Sequence, residues 1–134
     1  MVIGALKRLE MLKTMPELRE KLWTVVDALQ SGLKDAGFDI GVTESPVTPV
    51  YMQGGIVEAT NLIIDLRENY GIFCSLVIYP VVPKGDILLR LIPTSMHTLD
   101  DVKDTIAAFT ECRSKLKAGD YKTETFQDIS KLKV

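Results

Sequence analysis

Apolar side chains recur every three or four residues through the first part of the chain, which places them on one side of an α-helix. Residues 3–37 are predicted to be helical, with a break at Thr14-Met15-Pro16-Glu17, where proline suits the first position of a new helix. Gly37 is predicted to end this helix in the left-handed conformation. The apolar stripe of the second half is Leu18, Leu22, Val25 or Val26, Leu29 and Leu33, with Trp23 beside it.

The middle of the chain alternates between strand and helix patterns. Residues 46–52 predict a short strand near a sheet edge, because their two prolines cannot donate to a ladder. Residues 56–71 have helical spacing and close on a glycine. Residues 72–79 and 86–92 are rich in β-branched, aromatic and leucine side chains and predict two further strands, joined by the rigid loop 80–85.

A last amphipathic helix is predicted from Leu99 to near Gly119, with Thr98 as its cap and acids in its first turn. The polar residues 120–134 are predicted to form a loosely docked tail, so the expected domain is 1–119. The element order predicts a small, mostly antiparallel sheet covered by helices on one face. This is an α/β fold of the two-layer, α+β sandwich type.

Amino-acid composition and charge limit the classes of function that this chain can have. The 134 residues fit one domain, and 46% hydrophobic with 25% charged residues indicate a globular chain. A net charge of -2 without a basic run argues against nucleic-acid binding. The two cysteines have no metal-ligand spacing and are predicted to be buried thiols, so no metal is expected. The chain shows neither a signal-peptide pattern nor a span of about 18 apolar residues, so a cytoplasmic location is expected.

Arg90 is the residue most indicative of chemistry. It interrupts the apolar strand Ile87-Leu88-Leu89-Arg90-Leu91-Ile92, and strand parity puts it on the face of Leu88 and Ile92. Its guanidinium fork suits a carboxylate bound through two parallel hydrogen bonds. An ion pair with an acid of this chain is the structural alternative, because an unpaired buried charge is costly. Residue spacing alone does not decide between carboxylate binding and an internal ion pair. His97, the one histidine, is predicted to shape the turn before the last helix.

Several motifs between roughly residues 3 and 117 form a recognisable set. The first is Pro16-Glu17-Leu18 with Leu22-Trp23. The more specific part is Tyr79-Pro80-Val81-Val82-Pro83-Lys84-Gly85, then Leu88-Leu89-Arg90 and His97-Thr98. Together they resemble the C-terminal small domain of the pyridoxal-phosphate (PLP)-dependent α-oxoamine synthases, which opens with the first motif. The family includes 2-amino-3-ketobutyrate CoA ligases, serine palmitoyltransferases and 8-amino-7-oxononanoate synthases.

The resemblance implies a fold similar to fold type I enzymes and an acyl-CoA:amino-acid C-acyltransferase reaction. PLP acts there as the electron sink. By the same resemblance Arg90 grips the substrate carboxylate, and Val81, Val82 and Pro83 line the mouth of the pocket. Glycine or serine and an acyl-CoA are the expected substrates. A large PLP domain and a second subunit of a homodimer are the expected partners.

The family's cofactor lysine has no recognisable equivalent among these residues, so no catalytic residue and no covalent cofactor site are expected in this chain. We therefore expect the 134 residues alone to be inactive, as an excised domain or a truncated reading frame. Two alternatives are a stand-alone binding or regulatory domain that keeps the carboxylate grip, and a structural remnant in which Arg90 pairs internally.

Overall fold

A computed structural model of the protein describes residues 2–122. Four helices and three strands occur in this part of the chain, in the predicted order. They are α1 (Val2–Thr14), α2 (Pro16–Asp35), β1 (Thr48–Gln53), α3 (Ile56–Tyr70), β2 (Ser75–Val77), β3 (Asp86–Leu91) and α4 (Leu99–Ala118). None of the helices within residues 2–122 is long and apolar enough to cross a membrane.

The helix ends lie where the local chemistry predicted them. Pro16 opens α2 after the break, and Gly37 follows its end with a φ of +75°. Gly71 ends α3 at a φ of +67°. Thr98 and Asp101 form a reciprocal capping box: the Thr98 hydroxyl accepts from the Asp101 amide at 3.1 Å, and the Asp101 carboxylate accepts from the Thr98 amide at 2.7 Å.

The three strands form an antiparallel sheet in the order β1-β3-β2. This confirms the predicted fold class. Strand β2 is shorter than the predicted 72–79, because only Ser75–Val77 pair with β3. A turn follows at once, in which the amide of Val81 donates to the carbonyl of Ile78 at 3.0 Å. A favourable strand composition therefore did not extend the ladder beyond the residues that have a partner.

Helices α2, α3 and α4 cover one face of the sheet, whereas α1 contributes no buried side chain. That face and the helices share a core in which the largest fully buried apolar side chains include Leu33, Ile40, Val50, Leu62, Leu66, Ile87, Leu89 and Phe109. The opposite face, called the open face below, carries Pro49 and Tyr51 of β1, Leu88 and Arg90 of β3, and Ser75 and Val77 of β2. Because side chains alternate along a strand, burial of Leu89 on one side puts Arg90 on the other.

A polar cluster, called the Asp65 clasp below, ties the end of the described chain to α3. The Asp65 carboxylate accepts hydrogen bonds from the Tyr121 hydroxyl, from Lys115 Nζ at 3.0 Å and from Asn69. Asn61 donates to the Tyr121 carbonyl at 2.9 Å. Tyr121 is only 6% exposed, although the sequence assigned it to the tail. Residues 123–134 of that tail lie outside the described residues.

The clasp holds its groups in their ordinary charge states. Burial by itself raises the pKa of Asp65, but hydrogen bonds from Tyr121, Asn69 and Lys115 outweigh it and hold that pKa below the usual value. Hydrogen bonds to Tyr70 and Asp65 raise the pKa of Lys115. Burial and the bond to Asp65 raise the pKa of Tyr121. The clasp is therefore a carboxylate held by a phenol and an ammonium.

Both cysteines are buried and unbonded to each other, as predicted. Burial raises the pKa of Cys74 to about 11 and also raises that of Cys112. A thiol with a raised pKa is a poor nucleophile at neutral pH. The two side chains act as small core residues.

The first prediction concerns the clasp. We expect Tyr121→Phe to lower the free energy of unfolding by about 1–3 kcal/mol, because the mostly buried Asp65 carboxylate loses a donor. Urea denaturation followed by circular dichroism measures the difference. Tyr79→Phe, at a 54% exposed tyrosine, is the matched control and should change stability by less than about 0.5 kcal/mol. Equal effects of the two substitutions would contradict a stabilising role for the clasp.

The second prediction concerns pH. The pKa of Asp65 in the folded protein lies below the usual 3.8. Its contribution to the free energy of unfolding is therefore complete above the unfolded-state pKa and is lost as pH falls through the folded-state pKa. Unfolding free energies measured from neutrality to about pH 2 should therefore decline below about pH 4, and Asp65→Asn should make this decline shallower. Asp104→Asn, at an exposed acid of α4, is the control. An unchanged slope in Asp65→Asn would rule out the assignment.

Candidate anion-binding site

Arg90 lies on β3 with its side chain exposed on the open face. It shares this face with Leu88, as the sequence predicted, whereas Ile92 lies beyond the end of β3. Strand pairing puts Arg90 opposite Ser75 of β2, and Arg90 Nε donates to Ser75 Oγ at 3.1 Å. The guanidinium is therefore held at the surface by a neutral hydroxyl, without being buried.

No acid of the described chain neutralises Arg90. The ion pairs within residues 2–122 are Lys7–Glu10, Arg67–Glu68, Lys103–Asp100, Lys115–Asp65 and Lys115–Glu111. The internal ion pair that the sequence left open therefore has no partner in this part of the chain. The positive charge of Arg90 remains available to an anion from outside these residues.

The surroundings of Arg90 on the open face are mostly apolar. Pro49 lies directly opposite on β1, and Leu88 precedes Arg90 by two residues on the same face of β3. These two side chains offer no hydrogen-bonding groups that compete for the guanidinium. An exposed planar fork of donors is suited to a carboxylate or another oxyanion, which it can bind through two parallel hydrogen bonds.

The loop residues Val81, Val82 and Pro83 lie at the other end of β3. They precede Asp86, which is four residues, or roughly 13 Å along a strand, from Arg90. Val81 is 78% exposed, and the nearby Lys84 ammonium lies 5.1 Å from the centre of the Tyr79 ring. No hydrogen bond or ion pair within residues 2–122 joins this loop to Arg90, and the pocket mouth inferred from the resemblance stays a prediction.

His97 stabilises the turn between β3 and α4. Its Nδ1 accepts a hydrogen bond from the Thr94 amide at 2.9 Å and lies 3.2 Å from the Thr94 hydroxyl. The next residue is the cap of α4. These contacts agree with the structural role predicted for His97.

Sequence reasoning missed Ser75. The residue stands in an ordinary strand pattern, and its significance depends on pairing with Arg90. A hairpin with a two-residue turn would have revealed this register, but eight residues, 78–85, join β2 to β3. Parity alone therefore could not identify which residue of β2 faces Arg90.

Lys115 does not suit a Schiff base to PLP. A Schiff-base lysine must reach a neutral amine form, whereas Asp65 and Tyr70 hold Lys115 as an ammonium with a raised pKa. Lys84 belongs to the loop beside Tyr79. Within residues 2–122 there is no group of three or more His, Cys, Asp or Glu that could hold a metal.

Comparison with known enzymes defines the class. The chain is 57% identical over 121 residues to the cysteate-C-fatty acyltransferase of Capnocytophaga ochracea, covering 90% of this chain and 29% of that enzyme. It is 31% identical over 105 residues to the serine palmitoyltransferase of Sphingobacterium spiritivorum, covering 78% and 26%. No protein-family model matches the chain.

Solved structures share the fold. A serine palmitoyltransferase from S. paucimobilis with a bound PLP–myriocin aldimine has a TM-score of 0.68 and 27% identity, over 81% of this chain and 27% of that one. The 8-amino-7-oxononanoate synthase of Francisella tularensis, at 21% identity and a TM-score of 0.68, agrees in fold.

The sequence and fold thus match one segment of longer enzymes, two of which are named as acyltransferases. More specifically, the chain belongs to the α-oxoamine synthases and corresponds to their small domain. It spans 29% of the Capnocytophaga ochracea enzyme and 26% of the Sphingobacterium spiritivorum enzyme. The resemblance found in the motifs is confirmed.

The third prediction separates a surface role of Arg90 from a structural one. Arg90→Ala should lower the unfolding free energy by less than about 1 kcal/mol, because only one exposed hydrogen bond to a neutral partner is lost. Arg113→Ala is the comparison. Arg113 donates to the carbonyls of Gly37 and Ala36 at 3.0 and 2.9 Å and stacks 4.0 Å from the Phe38 ring centre.

Removal of Arg113 should cost more, about 1.5–3 kcal/mol. Both values come from urea denaturation of the 134-residue chain. A loss of several kcal/mol in Arg90→Ala would instead support the structural remnant, in which Arg90 pairs internally.

Proposed function

We propose that this segment supplies the substrate-orienting arginine of a PLP-dependent enzyme that condenses an amino acid with an acyl-CoA. The proposal is carried by one observation: Arg90 presents its charge on the open face with no acid of residues 2–122 paired to it. Arg90 binds the carboxylate of the amino acid and thereby orients the bonds at its α-carbon. PLP, bound by the remainder of such an enzyme, supplies the electron sink.

The amino-acid substrate that we propose first is cysteate. Sequence reasoning favoured glycine or serine, and the relative from Sphingobacterium spiritivorum is named for serine. The relative from Capnocytophaga ochracea is named for cysteate and a fatty acyl group, and its identity of 57% exceeds the 31% of the serine enzyme. The acyl donor in the proposal is accordingly a fatty acyl-CoA, with serine as the second candidate amino acid.

Val81, Val82 and Pro83 form the pocket mouth in this proposal. The exposure of Val81 leaves it free to contact a neighbouring domain or a substrate. The proposed partners are the large PLP domain and a second subunit of a homodimer, in a cytoplasmic enzyme. Since the cofactor lysine that the resemblance implies has no recognisable equivalent in this chain, the chain by itself is proposed to be catalytically inactive.

The alternative of a stand-alone binding domain is less well supported. The relatives described above are named as acyltransferases or synthases, and each match extends over most of the 134 residues of this chain. We therefore favour an enzyme segment.

The fourth prediction tests the proposal in a chimera. The 134 residues replace the matching segment of the Capnocytophaga ochracea enzyme, and initial rates are measured with cysteate, serine and glycine against a fatty acyl-CoA. We expect turnover with cysteate. Arg90→Lys should raise the KM for cysteate about 10- to 100-fold, because a lysine cannot replace the planar fork. The KM for the acyl-CoA should change little.

Arg67→Lys is the matched control, since Arg67 is an exposed arginine of α3 paired with Glu68 at 3.0 Å. It should leave both KM values unchanged. A folded chimera that binds PLP but has no turnover would refute the proposed function. An unchanged KM for cysteate in Arg90→Lys would remove Arg90 from substrate binding.

A further inference from the structure

Ser75 is the hydrogen-bonding partner of Arg90 on the open face. Pro49, paired with Arg90 on β1, and Leu88, two residues earlier on the same face of β3, have apolar side chains. Ser75 faces Arg90 because the two residues are directly paired in the β2–β3 ladder, so the contact is set by backbone register. A side chain placed by a ladder holds its position better than one placed by a loop.

The hydrogen bond to Ser75 occupies one of the two edges through which the Arg90 guanidinium can bind an oxyanion. Arginine has five N–H donors, one on Nε and four on the two Nη atoms. A planar oxyanion can bind side-on, through Nε and one Nη, or end-on, through both Nη atoms. The Arg90 Nε donates to Ser75 Oγ at 3.1 Å, which occupies the side-on edge. No bond from another residue of 2–122 occupies the end-on edge, which remains available.

A serine also preserves the charge of the site. An acid at position 75 would fix the guanidinium equally well but would neutralise its charge. The substrate anion would then have to compete with that acid for Arg90. The neutral hydroxyl restrains a long side chain that otherwise loses rotamer entropy on binding. It does so without competing for the positive charge.

We propose that Ser75 is a positioning residue that holds Arg90 by its Nε, so that the substrate carboxylate binds end-on to the two Nη atoms. The inference rests on the proposed function for its ligand. Beyond the proposed function, the inference identifies Ser75 as the residue that orients Arg90 and the end-on edge as the edge of the guanidinium that binds the substrate. The ligand class is an amino acid with a free carboxylate.

The first part of the test needs no ligand. Nitrogen-15 NMR of arginine side chains in the 134-residue chain measures the hydrogen exchange of the Arg90 Nε–H, which Arg90→Lys assigns by removing the signal. Exchange should be several-fold faster in Ser75→Ala and should return to within about twofold of the original rate in Ser75→Thr, which keeps the hydroxyl and suits a strand. Equal exchange in all three proteins overturns the positioning role.

The second part uses the chimera described above, with cysteate as the probe substrate. Ser75→Ala should raise the KM for cysteate about fivefold with a smaller change in kcat. Ser75→Thr should restore the original KM. Ser75→Asp should raise the KM further than Ser75→Ala does, because the new carboxylate pairs with Arg90. If Arg90→Lys raises the KM and Ser75→Ala does not, the inference fails while the proposed function stands. If neither substitution changes the KM, the proposed function fails and the inference fails with it.

Discussion

Strand β3 is the element on which the rest of the structure depends. It pairs with both β1 and β2, and its residues alternate between a buried face and an open face. Ile87, Leu89 and Leu91 anchor the sheet to the helices, at about 1.5–3 kcal/mol for each fully buried side chain. The same alternation requires Arg90 to face away from the core. Core packing and the candidate site are thus two consequences of one strand.

This arrangement explains how a charged residue can interrupt an apolar strand. A buried arginine would need a buried acid, and such a pair often contributes little net stability. Arg90 avoids that cost because the open face is accessible and Ser75 supplies a neutral partner. The charge is therefore preserved for binding, and its removal is expected to affect function more than folding.

The Asp65 clasp shows the opposite use of charge. Its carboxylate is mostly buried and is satisfied by a phenol, an amide and an ammonium, so each group stabilises the fold and none is available to a ligand. Tyr121 belongs to the folded domain through this cluster. A polar stretch that looked like a tail therefore contributes a core residue through a partner, Asp65, that lies 56 positions earlier in the chain.

The sequence by itself determined the elements with strong local causes. Pro16 opened a helix, Gly37 and Gly71 ended helices, Thr98 capped the last one, and strand parity put Arg90 opposite the core. Only the tertiary structure decided that β2 would be three residues long, that Ser75 would face Arg90, and that Tyr121 would be buried. The physical reason is range: caps and periodicity act within a few residues, whereas strand register and the Asp65 clasp depend on partners that the folded chain brings together.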